Sequence, residues 1–205
     1  MDGARPARVY TMRARADAVS RTRQQLLRRA AEQLCASPEP VTLAGIAAAA
    51  GVSRTTVYRH FRSITGLLDA IAADLLSRAR FDQLLAAVGL PEPVAALAEV
   101  TRLGCGIWAV DPALVRNLFA LARAQADAVP VIGQLEAGRA QIMEHLVQRL
   151  ADAGVLAAGL SRRDATDLLI AATGFAGWDQ IVTARGRPPA TATRLIVRMA
   201  LRAVT

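Results

Sequence analysis

Polar and basic side chains that could contact a polyanion are concentrated in one short segment, SRTTVYRHF, at residues 53–61. Ser53 is a favoured residue for capping the start of a helix, which would place Arg54, Thr55 and Thr56 in the first helical turn. The free N–H groups and partial positive charge of a helix N-terminus suit phosphate. Arginine can pair with the edge of guanine, and the threonine methyl group suits the methyl group of thymine. The segment therefore predicts a helix that contacts DNA.

The rest of the segment offers contacts that position a protein on DNA without reading its sequence. Tyr58 and His60 can donate to backbone phosphates, and Arg59 adds positive charge to the same outer face. Only Val57 and Phe61 are clearly apolar, so these two are expected to hold the helix on its own core. The competing interpretation is a solvated helix face with an incidental tyrosine, but it does not explain why a capping residue and a basic face coincide.

The distribution of charge supports contact with a polyanion. The chain has 205 residues and a net charge of +8, and all 25 of its basic residues are arginine. Residues 1–63 hold eleven arginines against four acidic residues, a balance of +7, whereas residues 64–205 have a balance of +1. A coding bias toward arginine would act on both parts alike. A basic head on a nearly neutral body therefore indicates that the head meets the polyanion.

The residues around this segment have the pattern of a helix-turn-helix. Apolar residues at helical spacing predict a first helix from about Ser20 to Cys35. Thr42 is placed to cap a second helix that ends at Ala50, and Gly51 can adopt the left-handed conformation that stops it. The third helix is the basic segment itself. The three helices are expected to bury a common core of Leu34, Leu43, Ile46, Ala47, Val52, Val57 and Phe61.

The remainder of the chain reads as a helical body. The apolar content of 53%, rich in alanine and leucine without sustained strand-like alternation, predicts an all-α protein. Prolines and glycines divide the body into six longer helices, at about residues 64–88, 91–110, 112–127, 130–153, 161–184 and 190–204. We thus expect a flexible basic arm at residues 1–19, a three-helix head at 20–63 and a six-helix body at 64–205.

At two places the sequence resembles a known family. The stretch TLAGIAAAAGVSRTTVYRHFRSITGLLDAI, residues 42–71, is similar to the DNA-binding signature of the TetR family of bacterial transcriptional repressors, and TRQQLLRRAAEQL, residues 22–34, resembles the helix before it. The resemblance implies a homodimer in which residues 53–61 of each subunit enter a major groove of a near-palindromic operator. It also implies that residues 64–205 form a ligand-binding and dimerisation domain, in which a small molecule shifts the fourth helix and releases the DNA.

The resemblance assigns contacts residue by residue. The positions that touch double-stranded DNA in family members correspond to Thr42, Arg54, Thr55, Thr56, Tyr58 and His60. Two positions depart from the family pattern: Ile64 stands where a phosphate-contacting lysine is usual, and Thr55 stands where glycine or alanine is frequent. We expect Arg62 or the N-terminal arm to supply the missing phosphate contact. The complete DNA-binding prediction is Thr42, Ser53, Arg54, Thr55, Thr56, Tyr58, Arg59, His60 and Arg62.

The scarce bulky and polar residues of the body are the candidates for ligand contact. Flat apolar walls with one or two polar groups are typical of small-molecule sites, and the body has few polar residues that could face inward. We therefore predict a small, largely hydrophobic effector. The candidate ligand-binding residues are Trp108, Phe119, Arg123, Met143, Phe175 and Trp178, although each tryptophan could equally be an ordinary core aromatic.

The last two predicted helices, about residues 161–204, carry apolar residues on more than one face. A helix that is apolar on two sides needs a second packing partner. The same pair of helices from a second subunit supplies it in a two-fold dimer. We therefore expect a homodimer through these helices.

Two other classes of function stay open at this point. A ligand-independent helical DNA-binding protein would not need so large a neutral body. An enzyme with a helical-bundle body would need reactive groups, but His60 belongs to the basic helix and His145 lacks a further metal ligand at helical spacing. We predict no enzyme activity, no catalytic residue, no metal site and no cofactor.

The expected location is the cytoplasm. The start of the sequence lacks the apolar core of a secretion signal, and its longest apolar stretch, residues 168–178, is too short to span a bilayer. Cys35 and Cys105 lack metal-ligand spacing and are interpreted as small core residues of a reduced protein.

Overall fold

The computed structural model describes residues 6–36 and 41–205, and within these ranges it describes the side chains from residue 18 onward. All the regular secondary structure of these ranges is helical. The all-α prediction is confirmed for these ranges. The positions of several helix breaks differ from the predicted ones.

The head consists of α1 (Pro6–Ala36), α2 (Leu43–Ala50) and α3 (Arg54–Phe61). The side chain of Thr42 caps α2 by accepting a hydrogen bond from the Gly45 N–H, and Gly51 ends that helix in a left-handed conformation with φ of 65°. Both α2 and α3 therefore begin and end where the capping residues predict. Leu34, Ile46, Ala47, Val57 and Phe61 are buried as predicted, while Leu43 and Val52 are partly buried.

The first helix begins much earlier than its apolar pattern. Residues 6–19, which we predicted as part of a flexible arm, are helical, and residues 1–5 lie outside the described ranges. Alanine and arginine are both good helix formers, and Pro6 suits the first position of a helix. The segment is therefore helical without an apolar stripe. Whether it contacts DNA stays a prediction.

A tight joint connects the head to α4 (Ile64–Arg78). Arg62 has a φ of 62° and a ψ of −38°, and the Ser63 N–H donates to the Phe61 carbonyl over 2.7 Å. This is the geometry of a classic γ-turn, which is rare and strained. The Ser63 hydroxyl then caps α4 by accepting from the Gly66 N–H over 3.0 Å.

The helix predicted at residues 64–88 is two helices. α4 ends at Arg78 and α5 (Phe81–Val88) follows after a break in which Arg80 adopts a left-handed conformation with φ of 57°. Only side-chain identity is visible in the sequence, and neither Ala79 nor Arg80 is a helix breaker, so the break escaped prediction. α6 (Pro93–Val110) begins two residues after the predicted start because Glu92, rather than a residue before Pro91, caps it.

The rest of the body contains α7 (Pro112–Ala124), a short 3₁₀ turn, α8 (Val129–Asp152), α9 (Arg162–Thr173), α10 (Phe175–Asp179) and α11 (Pro189–Val204). A π-helical segment, Gln180–Ala184, continues α10. The helix predicted at residues 161–184 is therefore interrupted. Gly174 adopts an extended conformation between α9 and α10, and a glycine costs more conformational entropy in a helix than any other non-proline residue.

Buried apolar side chains form two clusters, and α7 contributes to both. One cluster unites the head with α4, α7 and the start of α8, and it includes Leu114, Leu118 and Leu121. The other fills the body and includes Val115, with Phe119 packed against it. The spacing of these residues places them on two different faces of α7. Helix α7 therefore packs against both hydrophobic clusters, one on each face.

Two hydrogen bonds tie the connection between α7 and α8 to distant parts of the chain, one at α4 and one in the head. The Thr65 hydroxyl donates to the Asp127 carbonyl over 3.2 Å, and the Gln125 side-chain amide donates to the Val41 carbonyl over 3.4 Å. Both body residues lie in the short connection between α7 and α8. This connection therefore contacts the head just before α2 and contacts the body at the start of α4.

Helix α6 is, within the described ranges, the one helix that is long and apolar enough to cross a membrane, with 18 residues and a mean hydropathy of 1.2. A core helix of a water-soluble protein passes the same test. α6 packs against α5 and α11 and buries Leu97, Val100 and Cys105. These contacts account for its apolar sequence.

Candidate nucleic-acid interface and internal cavity

Helix α3 separates its residues cleanly into two faces. Val57 and Phe61 are buried in the head cluster. Arg54, Thr55 and Arg59 are exposed, and Tyr58 keeps 61% of its surface accessible. A tyrosine this exposed contributes little to the stability of the head. The outer face of α3 thus offers two guanidinium groups, a phenol and a threonine hydroxyl to a partner.

The hydroxyl groups at the start of the helices have local partners. The Ser53 hydroxyl accepts from the Thr56 N–H over 3.2 Å and shares a second hydrogen bond with the Thr56 hydroxyl over 3.0 Å. The Thr42 hydroxyl accepts from the Gly45 N–H over 3.0 Å. Thr42 and Ser53 therefore cap helices, and Thr56 is held by the Ser53 cap. The capped helix starts can add N-terminal N–H groups to a DNA contact as well as side chains.

His60 is half-buried, and it differs from the other residues of α3 because its Nε2 atom is buried without a hydrogen-bond partner. Burial, with the positive charges of Arg59 and Arg23 as smaller causes, holds the pKa of His60 below its ordinary value. The ring is therefore neutral at neutral pH. His60 can donate a hydrogen bond to phosphate, but it adds no positive charge.

Arg23 belongs to the basic surface although the sequence did not single it out. Its guanidinium group lies over the Phe61 ring, 5.3 Å from the ring centroid, at a distance typical of a cation–π contact. No motif in α1 marks this residue. Its role follows from the crossing of α1 and α3, which brings Arg23 beside the C-terminal end of α3.

Arg62 lies exposed directly after α3. Strained backbone conformations are retained where the surrounding structure fixes them, and they cluster at functional sites. Arg62 lies two residues before Ile64. That Arg62 supplies the phosphate contact of the usual lysine stays a prediction.

A cavity of about 600 Å³ opens between α5, α6 and α8 in the body. Trp108, Phe119 and Met143 line it, so half of the six candidate ligand-binding residues meet there. Phe175 lies behind the wall, 5.7 Å from the Trp108 ring and 5.5 Å from the Phe119 ring between centroids. The three rings form one aromatic wall.

The remaining two candidates do not line the cavity. Trp178 is fully buried behind Phe175, and Arg123 is exposed on α7. Their positions differ because the sequence shows which residues are bulky but not which side of a helix faces an empty space.

The polar groups of the cavity wall were missed by sequence reasoning. Arg139 donates to Glu136, to the Ile170 carbonyl and to the Thr173 hydroxyl, and Thr101 is buried in the wall. The spacing of Glu136 and Arg139, three residues apart on α8, could have suggested an ion pair, but not that the Arg139 side chain would be mostly buried beside the cavity. Gln134, Gln141 and His145 are exposed at the rim.

Metal and thiol chemistry find little support in the described part of the chain. Among the side chains that the structure describes, no three His, Cys, Asp or Glu residues lie close enough together to hold a metal ion. Cys105 is buried as predicted, and burial raises the pKa of its thiol to about 12. Cys35 is exposed, so the interpretation of Cys35 as a core residue is wrong, because it lies at the end of α1 beyond the head core.

The structure therefore combines two parts, a helix-turn-helix head with a polar outer face and an all-helical body with a mainly apolar cavity. Proteins of this architecture form a distinct class of helix-turn-helix proteins. Residues 27–71 match the sequence model of the bacterial regulatory proteins of the tetR family. The family model thus matches most of the head and the start of α4, and the chain has the fold of TetR-family regulators.

Solved structures of similar shape agree with this assignment. NalD, the secondary repressor of the MexAB-OprM multidrug efflux pump in Pseudomonas aeruginosa, is 22% identical with a TM-score of 0.69 over 92% of this chain and 98% of NalD. SmeT, solved in complex with triclosan, is 20% identical with a TM-score of 0.69 over 90% of this chain and 91% of SmeT.

The fatty acid degradation regulator FadR from Bacillus halodurans is 14% identical, with a TM-score of 0.68 over 88% of this chain and 94% of FadR. At such identities the likeness establishes the fold and nothing finer. A sequence search among curated proteins gives no match.

Proposed function

We propose that the chain is a transcriptional repressor that binds a near-palindromic operator as a homodimer and releases it when a small, largely apolar molecule enters the cavity. The observation that carries the proposal is the outer face of α3. Within a TetR-family head, this face exposes Arg54, Tyr58 and Arg59 while Val57 and Phe61 anchor it. Among the side chains that the structure describes, no packing contact requires these polar groups.

The proposed DNA contacts are of two kinds, contacts to base edges that recognise the sequence and contacts to phosphates that position the protein. Arg54 and Thr55 lie in the first turn of α3, where they can reach base edges in a major groove. Tyr58, Arg59 and Arg62 lie further along and suit phosphates. Because each neutralised phosphate releases counterions, the affinity should fall steeply with salt.

The test of the DNA contact is a double variant, Arg54→Ala with Tyr58→Ala, assayed by fluorescence anisotropy on the DNA that flanks the gene. We expect a loss of affinity of at least about 10- to 100-fold, with an unchanged thermal unfolding curve. Arg123→Ala is the matched control, because it also removes an exposed arginine but lies outside the head and the cavity. Equal affinities for the double variant and the wild type would remove α3 from the interface.

The dimer proposal is supported by apolar side chains on the outer surface of the last helices. Leu168 on α9 keeps 42% of its surface exposed and Met199 on α11 keeps 48%, while Leu169 and Ile196 on the same helices are buried. A second copy of the pair would cover the exposed residues. Leu168→Glu with Met199→Glu should produce a monomer in sedimentation analysis that no longer binds the operator, whereas Val129→Glu, also at an exposed position, should remain a dimer.

The effector proposal is supported by the cavity. Its volume of about 600 Å³ lies in the range of small-molecule sites, and aromatic side chains line it. A ligand-independent DNA-binding protein would have no use for such a space, since an unfilled apolar cavity costs stability. The proposed place of action is the cytoplasm, where the operator is.

A further inference from the structure

Thr101 carries a hydroxyl group that has no partner. It lies on α6 in the wall of the cavity, with 2% of its surface exposed, and its Oγ1 atom is buried without a hydrogen bond. The described residues include two other buried threonines, and both of these donate to the carbonyl four residues earlier: Thr166 to Arg162 over 2.9 Å and Thr173 to Leu169 over 2.7 Å. Thr101 does not make this bond.

An unpaired buried hydroxyl group is costly, so it is informative when it lines an otherwise apolar space. The other interior polar side chains of the wall make hydrogen bonds, although the Arg139 Nε atom also lacks a partner. Arg139 binds Glu136, the Ile170 carbonyl and Thr173, and the Trp108 N–H donates to the Thr173 carbonyl over 3.3 Å. Thr101 therefore differs from its neighbours in having a free hydroxyl group.

The charges of the wall cancel. The Arg139 guanidinium pairs with the Glu136 carboxylate over 2.5 Å, so neither charge calls for a charged ligand. A ligand carboxylate would have to displace Glu136, and a ligand cation would have to displace Arg139. The Arg139 side chain is only 15% exposed, so its charge without a partner would be strongly disfavoured. The wall therefore favours an uncharged ligand.

We propose that the effector is an uncharged, mainly apolar molecule with a hydrogen-bond acceptor oxygen, such as a ketone or ester, and that the Thr101 hydroxyl donates to that oxygen. This inference rests on the proposed effector-binding function of the cavity. The hydroxyl reaches the ligand by rotation about the Cα–Cβ bond, because threonine in a helix has two accessible side-chain positions. The rotation breaks no existing hydrogen bond. The aromatic wall of Trp108 and Phe119 suits a flat apolar body for the same molecule.

The first test needs no ligand. Thr101→Val replaces an unpaired hydroxyl with a methyl group of similar size, so we expect the melting temperature to rise by about 2–4 °C. Thr166→Val is the matched control, since it removes a hydroxyl that has a partner, and its melting temperature should fall. A Thr101→Val protein that melts below the wild type would show that the hydroxyl already has a stabilising partner, which contradicts the proposal.

The second test compares two probes, acetylnaphthalene and its hydrocarbon analogue ethylnaphthalene, by isothermal titration calorimetry on the full chain. The wild type should prefer the ketone. Thr101→Val should lower its affinity for the ketone by about 3- to 10-fold and leave its affinity for the hydrocarbon unchanged within about twofold. Thr101→Ser, which keeps the hydroxyl group, should retain the preference for the ketone.

The outcomes separate this inference from the proposed function. If both probes bind but Thr101→Val has the same affinities for them as the wild type, the acceptor-oxygen inference is overturned and the cavity is still supported as an effector site. If neither probe binds while the protein binds its operator, the inference and the effector part of the proposed function are both overturned. If the operator is not bound and the ketone preference depends on Thr101, the inference stands and the regulator proposal falls.

Discussion

Gly66 provides a sharp test of the joint between α3 and α4. It lies in the first turn of α4, and a Cβ atom added to it would lie 2.2 Å from the Phe61 carbonyl oxygen. Real Cβ atoms essentially never approach closer than 3.0 Å. Because the obstructing atom belongs to the backbone, no side-chain rotation can relieve the contact. Gly66→Ala must therefore move α4 away from α3.

The size of the effect follows from comparison with a second glycine. Overpacking that moves the backbone costs about 1–3 kcal/mol, whereas replacing glycine by alanine within a helix gains up to about 1 kcal/mol. Gly133 is an exposed glycine in α8, and an added Cβ there would meet nothing within 4 Å. Gly133→Ala should therefore stabilise the protein by about 0.5–1 kcal/mol. The helix gain cancels between the two variants, so Gly66→Ala should be less stable than Gly133→Ala by about 1–3 kcal/mol.

The assay is urea unfolding of the two variants and the wild type, followed by circular dichroism. Operator affinity gives a second measurement, since a displaced α4 changes the position of α3 relative to the body. Gly66→Ala should unfold at the lowest urea concentration of the three proteins. The reasoning is refuted if Gly66→Ala unfolds at the same urea concentration as Gly133→Ala or above it.

Three further predictions follow from local geometry. Arg62→Ala and Arg62→Gly should weaken operator binding equally and lower the salt dependence of binding by about one phosphate contact. The glycine variant should be more stable in urea than the alanine variant by about 1–2 kcal/mol, because glycine adopts a positive φ without strain. Equal stabilities of the two variants would show that the backbone at residue 62 is not strained. Hydrogen bonds from Arg116 and Thr183 hold the pKa of the Asp179 carboxyl below its ordinary value. This ionised group therefore stabilises the fold above that ordinary value, and the contribution disappears as the pH falls through the folded-state pKa. Asp179→Asn should be less stable than the wild type near neutral pH and equally stable in strong acid, and a difference in urea midpoint that does not change with pH would argue against the ion pair. Iodoacetamide at neutral pH should label Cys35 and spare Cys105, whose thiol pKa is raised to about 12, as mass spectrometry would show; labelling of folded Cys105 at the rate of Cys35 would contradict its burial.

The helix-turn-helix could be predicted because its local signals agree with each other. Thr42 and Ser53 both cap helices, Gly51 ends α2, and Val57 and Phe61 are buried. Each of these features depends on residues a few positions apart. A single sequence contains this information, so the bounds of α2 and α3 were correct.

The breaks in the body and the extent of α1 were not predictable in the same way. Arg80 takes a positive φ that its residue type does not indicate, and the pattern around Gly174 reads as one continuous helix. Conversely, α1 extends through residues without an apolar stripe. In these cases tertiary packing or intrinsic propensity decides the structure, and hydrophobic periodicity does not report on either.

The cavity could be predicted only in part. Of the two tryptophans named as candidates, Trp108 lines the space and Trp178 is buried behind the wall. Which side of a helix faces an internal space depends on how α5, α6 and α8 cross. Nothing in the sequence pointed to Thr101, because the feature that distinguishes it, a buried hydroxyl group without a hydrogen-bond partner, depends on the folded structure.

Because α7 packs in both buried clusters, the residues of the head alone do not form a complete hydrophobic core. Leu114, Leu118 and Leu121 come from the middle of the chain, yet they pack with the side chains of the first four helices. A fragment cut after residue 63 would therefore leave that cluster open to water, and we expect it not to fold alone. A chimaera that transfers this head to the body of another regulator would have to carry α7 and the start of α8 with it. The unit that can be exchanged between proteins is thus not a continuous stretch of sequence.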